Sequence, residues 1–202
     1  MIERIKQSLL SNTLIYRMFQ NLLIPDDYTV IYKKLSELIK KNFMDYTVYD
    51  LGCGDAPFAK YLDKEINYIG IDVNIKHIQK AQKDYPHFNF ECLDLSLIEF
   101  SNQRSLIILD GVIHHLDDEL VSCLLDKLNN ITTYSIFCKD PVYTDNQDFL
   151  SRFLMKNDGG KYIRTRSQYE DLLVGFDFKI YDSLLRIPYK HIFSSKNIDL
   201  KL

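Results

Sequence analysis

The run VYDLGCGDAPF, Val48 to Phe58, constrains this chain more than any other stretch. A β-branched, apolar strand runs into Asp50, then a Gly-x-Gly turn at Gly52 and Gly54, then a helix start near Phe58. Glycine lets the backbone turn sharply, and without a side chain in the way a ligand can lie against the main chain. About twenty residues on, Tyr68-Ile69-Gly70-Ile71 reads as a second strand ending in Asp72, placed to hydrogen-bond the two hydroxyls of a ribose. Strand, turn and second acid together point to a nucleotide-like ligand.

Dinucleotide and phosphate binders need more than this turn offers. The G-x-G-x-x-G pattern requires a third glycine where the chain has Pro57, and the Gly-Lys-Ser/Thr ending of a P-loop is absent. Asp55 sits at the helix mouth, where it would repel a pyrophosphate. A cofactor with a ribose, an adenine and a cationic or zwitterionic tail suits the turn better. The run resembles motif I of the class I S-adenosylmethionine-dependent methyltransferases, whose third glycine is Ala56 here, a small residue in its place.

That resemblance implies S-adenosyl-L-methionine as cofactor and S-adenosyl-L-homocysteine as product. It implies Gly52, Cys53 and Gly54 as cofactor-facing backbone, Asp50 near the methionine moiety, Asp72 at the ribose, and Val73 and Asp110 as further cofactor-binding residues. Asp94 and Leu95, after the third strand, are implied at the adenine. Helix or turn capping is the competing role for Asp72 and Asp94, and tying up loop amides for Asp50. Asp110-Gly111-Val112-Ile113-His114-His115-Leu116 resembles the family's strand-four ending. His114 and His115 are candidate catalytic bases, because histidine titrates near neutrality, with one of the two expected to pack beneath the next helix. Adjacent residues point apart, which argues against a metal held by the pair.

A narrower group of small bacterial methyltransferases is similar over nearly the whole chain. Its marks are Tyr16-Arg17-x-Phe19-Gln20, Asp140, Ser151-Arg152-Phe153-Leu154, the run Asp158 to Thr165, and Leu185-Arg186-Ile187-Pro188-Tyr189-x-His191. The implied acceptor-binding residues are Tyr16, Gln20, Asp140, Arg152, Arg164, Arg186 and Tyr189. Guanidinium groups bind carboxylate or phosphate in a two-pronged fashion, so three arginines allow an acidic acceptor, with intramolecular ion pairs as their other use. The expected activity is methyl transfer to a small-molecule or sugar-like acceptor. Methylation of RNA or protein, and cofactor binding without catalysis, are the rivals.

With 202 residues the chain has room for one domain with a substantial core. A formal net charge of −3 argues against a dedicated nucleic-acid surface. Cys53, Cys92, Cys123 and Cys138 form no Cys-x-x-Cys pair, so neither a zinc site nor a disulfide framework is expected. MIERIKQSLL carries charges within its apolar pattern and reads as no secretory signal, and no apolar run approaches the ~20 residues of a membrane span. Cytoplasmic residence is the default expectation.

Apolar periodicity alternates along the chain. Helical spacing is read through Ile5, Leu9, Leu14, Met18 and Leu22, then, after a cap at Asp26 or Asp27, through Leu35, Leu38 and Ile39. Strands are expected at 47–51, 68–72, 87–93, 106–109 and 134–138, with helices at 58–64, from Asn74, and from Asp117 through Leu128. This alternation implies a parallel sheet with helices on both faces and a ligand at the carboxyl ends of the strands. Asp50, Asp72, Asp94 and Asp140 all fall at or just after those ends. A helix at 167–174 and two closing strands match the end of the methyltransferase sheet. The expected architecture is thus a Rossmann-like three-layer α/β sandwich: a seven-stranded, mostly parallel sheet with an antiparallel last strand, plus N-terminal helices. Within one domain, 1–202, residues 1–44 read as a helical cap, 45–140 as the cofactor core, 141–166 as a lid-like insertion and 167–202 as the closing helix and strand pair.

Overall fold

The structure is a computed structural model that describes residues 27–101, 104–157, 159–182 and 190–198. The expected helix at 5–22 lies outside them. Helix α1, Asp27–Asn42, opens the described chain, so Asp27 is its first residue rather than its cap. Strand β1 (Thr47–Leu51) follows, then a 3-10 turn at Pro57–Tyr61, strand β2 (Asn67–Asp72) and helix α2 (Ile75–Asp84). Next come β3 (Asn89–Cys92), β4 (Ser105–Asp110), α3 (Asp118–Leu128) and β5 (Tyr134–Tyr143). Helix α4 (Phe149–Asn157), the two-residue β6 (Arg164–Thr165), α5 (Arg166–Leu172), β7 (Asp177–Asp182) and β8 (Lys190–Lys196) complete it.

Seven strands form one path in the order β3-β2-β1-β4-β5-β8-β7, with β6 paired to β5 off that path. The first five strands are parallel neighbours, and β8 runs antiparallel to both β5 and β7. This is the expected mostly parallel α/β sheet with its antiparallel last strand. Strand order reverses between β1 and β4, which puts a crevice at their carboxyl ends.

Period-two alternation sorts the core into two layers. Val48, Leu106, Ile108 and Phe137 face α1 and α2, packing on Leu35, Ile39, Ile78 and Ala81. Their neighbours Tyr49, Ile107, Leu109 and Ile136 face the other way, onto Val121, Leu124 and Leu128 of α3 and Tyr169 of α5. Strands buried on both faces carry near-continuous apolar runs, as β4 does in Leu106 to Leu109.

Three elements depart from expectation. The segment expected as a helix at 58–64 closes only a 3-10 turn, entered through a left-handed Ala56 and left through an extended Leu62. Strand β3 is shorter than 87–93 because the amide of Phe88 is drawn into a turn with the carbonyl of Tyr85. Strand β5 runs on past Cys138 to Tyr143, so Pro141 belongs to the sheet and not to a lid. Past Lys139 its two edges are taken by β8, in register to Pro141–His191, and by β6 at Val142 and Tyr143. Among the described residues no helix is long and apolar enough to cross a membrane.

Candidate cofactor site

The glycine turn joins the ends of β1 and β2. Gly52, Gly54 and Ala56 all have positive φ, at 70°, 58° and 55°. At Gly52 a side chain is excluded twice over, since a Cβ there would also lie 2.7 Å from Val112 Cγ2. Around Gly54 the space is open, so its backbone faces the cleft bare. Ala56, the position of the family's third glycine, holds the left-handed conformation that favours glycine, so conformation rather than size is what that position demands. The amides of Gly52 and Cys53 donate to the carbonyl of Ile71 at 2.7 and 3.0 Å. Asp72 completes the fastening. Its Oδ2 accepts the Gly54 amide at 2.9 Å and its Oδ1 the Asn74 amide at 2.7 Å, while Asn74 itself caps α2.

Three carboxyls surround this turn in contrasting settings. Asp50 is buried, with Oδ2 accepting the Tyr68 hydroxyl at 2.6 Å. Burial pushes its carboxyl up from 3.8 to about 7 against the pull of the tyrosine bond, and the charges of Asp110 and Asp72 add to the rise. Asp110, at the end of β4, is held from both sides. Tyr32 of α1 donates to its Oδ2 at 2.7 Å, and the Lys139 ammonium lies 2.5 Å from its Oδ1. A pocket between α1 and the sheet is lined by Tyr32, Leu35, Asp50, Gly52, Phe58 and Asp110, among others.

Asp94 caps the short 3-10 turn Leu95–Leu97, accepting the Ser96 amide at 2.8 Å. That bond holds its exposed carboxyl below the usual carboxylate range. Val73 is 71% exposed and Leu95 half-buried, which leaves apolar surface beside the ends of β2 and β3.

Several expected site residues are engaged elsewhere. Asp140 is 0% exposed. Its Oδ1 accepts the His114 backbone amide at 3.1 Å and lies 2.6 Å from His114 Nδ1, and its Oδ2 accepts the Cys138 thiol. His114 is thereby the packed histidine of the pair, buried against Gly160. His115 is exposed beside it. Arg164, expected at the acceptor, is 5% exposed and spends its donors inside the protein. It grips Asp118 with Nε and NH2, and reaches the carbonyls of Ile113, Tyr162 and Leu116. Alternation explains Asp140, because every second residue of a doubly buried strand faces a core. Arg164 is drawn in by unsatisfied carbonyls in the loop after β4. Arg152 is exposed on α4 and donates to the carbonyls of Gln147 and Asp145. Tyr16, Gln20, Arg186 and Tyr189 lie outside the described residues.

Sequence reading missed Lys139 and Tyr32. A signal existed for the first: a lysine inside the apolar run Ile136-Phe137-Cys138, on the strand face that alternation shares with Phe137. Its partner was beyond reach, since Asp110 and Lys139 meet only through the β4–β5 register.

A doubly wound sheet with a bare glycine turn and carboxylates at its crevice is the arrangement in which open α/β sheets seat a ligand. Comparison with known proteins narrows this. A family model described as a methyltransferase domain matches residues 48–133. The carboxy-S-adenosyl-L-methionine synthase of Helicobacter pylori strain HPAG1 is 27% identical over 165 residues, which span 72% of this chain and 68% of that one. Among solved structures, the plantazolicin methyltransferase BpumL, in complex with a triazolic desmethylPZN analog and SAH, superposes with a TM-score of 0.66 at 16% identity, covering 96% and 95% of the two chains. The magnesium protoporphyrin IX methyltransferase ChlM of Synechocystis PCC 6803, with bound SAH, gives 0.59 at 17% identity over 83% and 82%. The fold is that of the class I S-adenosylmethionine-dependent methyltransferases, and both of these solved neighbours hold S-adenosylhomocysteine. The bare turn at Gly54 and the carboxylates around it fit that molecule.

Proposed function

We propose that the chain methylates a small-molecule or sugar-like acceptor held over the ends of β4 and β5. The observation that carries this reading is the pocket beneath α1, where Tyr32, Leu35 and Phe58 supply apolar walls and Asp50 and Asp110 the polar points. Enclosed, mostly apolar pockets with a few polar groups suit small ligands. In this reading Asp72 meets the ribose hydroxyls, the backbone of Gly52 to Gly54 lies along the cofactor, and Asp94 with Val73 and Leu95 borders the adenine. Asp50 and Asp110 face the methionine end. Helix α1 covers the cleft from one side, and the setting is cytoplasmic.

Bound S-adenosylmethionine supplies an electrophilic methyl group. The protein's part is to hold the acceptor in line with it and exclude water. A hydroxyl acceptor also needs a base, and exposed His115 is the member of the histidine pair free of the interior. With Arg164 committed to Asp118 and the loop carbonyls, an acidic acceptor rests on Arg152 and Arg186. A second reading draws on the Helicobacter relatives: the cofactor itself is the molecule altered, giving carboxy-S-adenosylmethionine.

Calorimetry with S-adenosylmethionine against NAD tests the cofactor. Mass spectrometry of turnover mixtures tests the rest. Release of S-adenosylhomocysteine with small hydroxylated or amino compounds is expected. Carboxy-S-adenosylmethionine as product would favour the second reading, and turnover confined to intact RNA or protein would overturn both.

A further inference from the structure

One ammonium stands out in the interior. Lys139 is 2% exposed, midway along the central strand β5, and no motif of the sequence accounts for it. Burying an ammonium is costly unless a carboxylate compensates. The compensation here is specific. The Lys139 Nζ lies 2.5 Å from Asp110 Oδ1, with the Tyr32 ring 5.9 Å away, and Tyr32 gives its hydroxyl to the second oxygen of Asp110.

The groups facing Asp110 come from three elements, Tyr32 from α1, Asp50 from β1 and Lys139 from β5, while Asp72 at the end of β2 acts on Asp50. Asp50 and Asp110 line the same pocket. Two carboxyls in one pocket repel, and the one with a cation beside it is the better compensated. Among the described residues no cation pairs with Asp50, whereas Lys139 is fixed against Asp110 by the strand register. Lys139 does not line the pocket and Asp110 does. The pocket is therefore presented with a carboxylate in front and its ammonium behind. That arrangement is a dipole whose negative end faces the ligand, and at short range it attracts a cation.

We propose that Lys139 is a positioning residue of the methyl-transfer site: it holds Asp110 as an oriented carboxylate, with Tyr32 on the other oxygen, against the cationic end of S-adenosylmethionine. The inference rests on the cofactor lying at the glycine turn. It is independent of which acceptor is methylated. The sulfonium is the charge that S-adenosylmethionine has and S-adenosylhomocysteine lacks, so the unit favours the donor over the product.

The test is calorimetric titration of the full chain with both compounds at pH 7 and pH 9, for wild type, Lys139→Met, Lys139→Arg, Asp110→Asn and the double variant. Lys139→Met is expected to weaken S-adenosylmethionine about tenfold at both pH values and S-adenosylhomocysteine less. Lys139→Arg should retain the preference for the donor. In the Asp110→Asn background, Lys139→Met should have no further effect on that preference. A loss shared equally by both ligands would overturn the proposal and leave Lys139 a packing residue. Should Lys139→Met fail to fold, Asp110→Asn decides: an unchanged ratio of donor to product affinity overturns the proposal. Wild-type binding of either compound reports the cofactor reading separately.

Discussion

Asp50 joins two scales of consequence, because the carboxyl that lines the pocket beneath α1 also taxes the fold. Its folded value of about 7 lies above the ordinary 3.8. Below about pH 4 both folded and unfolded chains hold the proton. Between about pH 4 and pH 7 the unfolded chain ionises while the folded one does not, so stability falls as pH rises through that window. Asp50→Asn keeps an acceptor for Tyr68 and removes the titration. Relative to wild type it should gain about 3 kcal/mol between pH 5 and pH 8 in urea unfolding of the ligand-free chain. A constant offset across that range would refute the assignment. Ala56 is a second residue where magnitudes decide. Its left-handed backbone costs about 1–2 kcal/mol. Its buried methyl contributes about 0.8 kcal/mol, and alanine restricts the unfolded chain by a further ~0.4–1 kcal/mol relative to glycine. These terms nearly cancel, so Ala56→Gly should shift stability by less than about 1 kcal/mol. Ala56→Val, with a branched Cβ at the same φ and no space around it, should cost more than about 2 kcal/mol. Denaturant midpoints check both.

At the scale of elements, the stretch after β4 and the stretch before α5 are stitched into one unit. Arg164 clasps the carbonyls of Ile113 and Leu116 as well as Asp118, the Tyr162 amide donates to the His114 carbonyl at 2.9 Å, and Gly160 packs on the His114 ring. A lysine at 164 keeps the charge and loses the planar fork, so it cannot reach all of these acceptors together. Arg164→Lys should therefore cost about 2–4 kcal/mol and speed amide exchange across residues 113–118. Retention of wild-type stability and protection would show the clasp to be incidental. The same unit marks how much was legible beforehand. Gly52, Gly54 and Asp72 were readable because positive φ and strand ends admit few residue types. The elements on either side were readable from periods of 2 and 3.6. The distant partners of Arg164, Asp140 and Lys139 were not, since contacts such as Asp140 with His114 and Arg164 with Ile113 span 26 and 51 residues and exist only once the sheet has its register. Chain texture also hid Pro141 inside β5, because a proline is permitted where the strand's edges change partners.

For the whole molecule, the crevice is where both core layers meet. β1 contributes Val48 and Asp50 to the α1 side and Tyr49 and Leu51 to the α3 side, and the glycine turn hangs from its end. A ligand seated there ties β1, β2 and β4 together and is absent from the unfolded chain, so its binding energy adds to global stability. At a hundredfold excess over Kd the gain is about 2.7 kcal/mol, which for a chain of this size raises Tm by roughly 5–10 °C. Asp72 separates the contributions of fold and ligand. In the ligand-free chain its two oxygens already accept the amides of Gly54 and Asn74, so Asp72→Ala should lower Tm even without cofactor. Were that fastening its only role, S-adenosylmethionine would still add its full increment to the lowered baseline. If Asp72 also receives the ribose hydroxyls, the increment itself should disappear at the same ligand concentration. Thermal unfolding of both proteins across a series of S-adenosylmethionine concentrations distinguishes the two. A lowered baseline with an undiminished increment would remove Asp72 from the cofactor site and leave it a clamp on the turn.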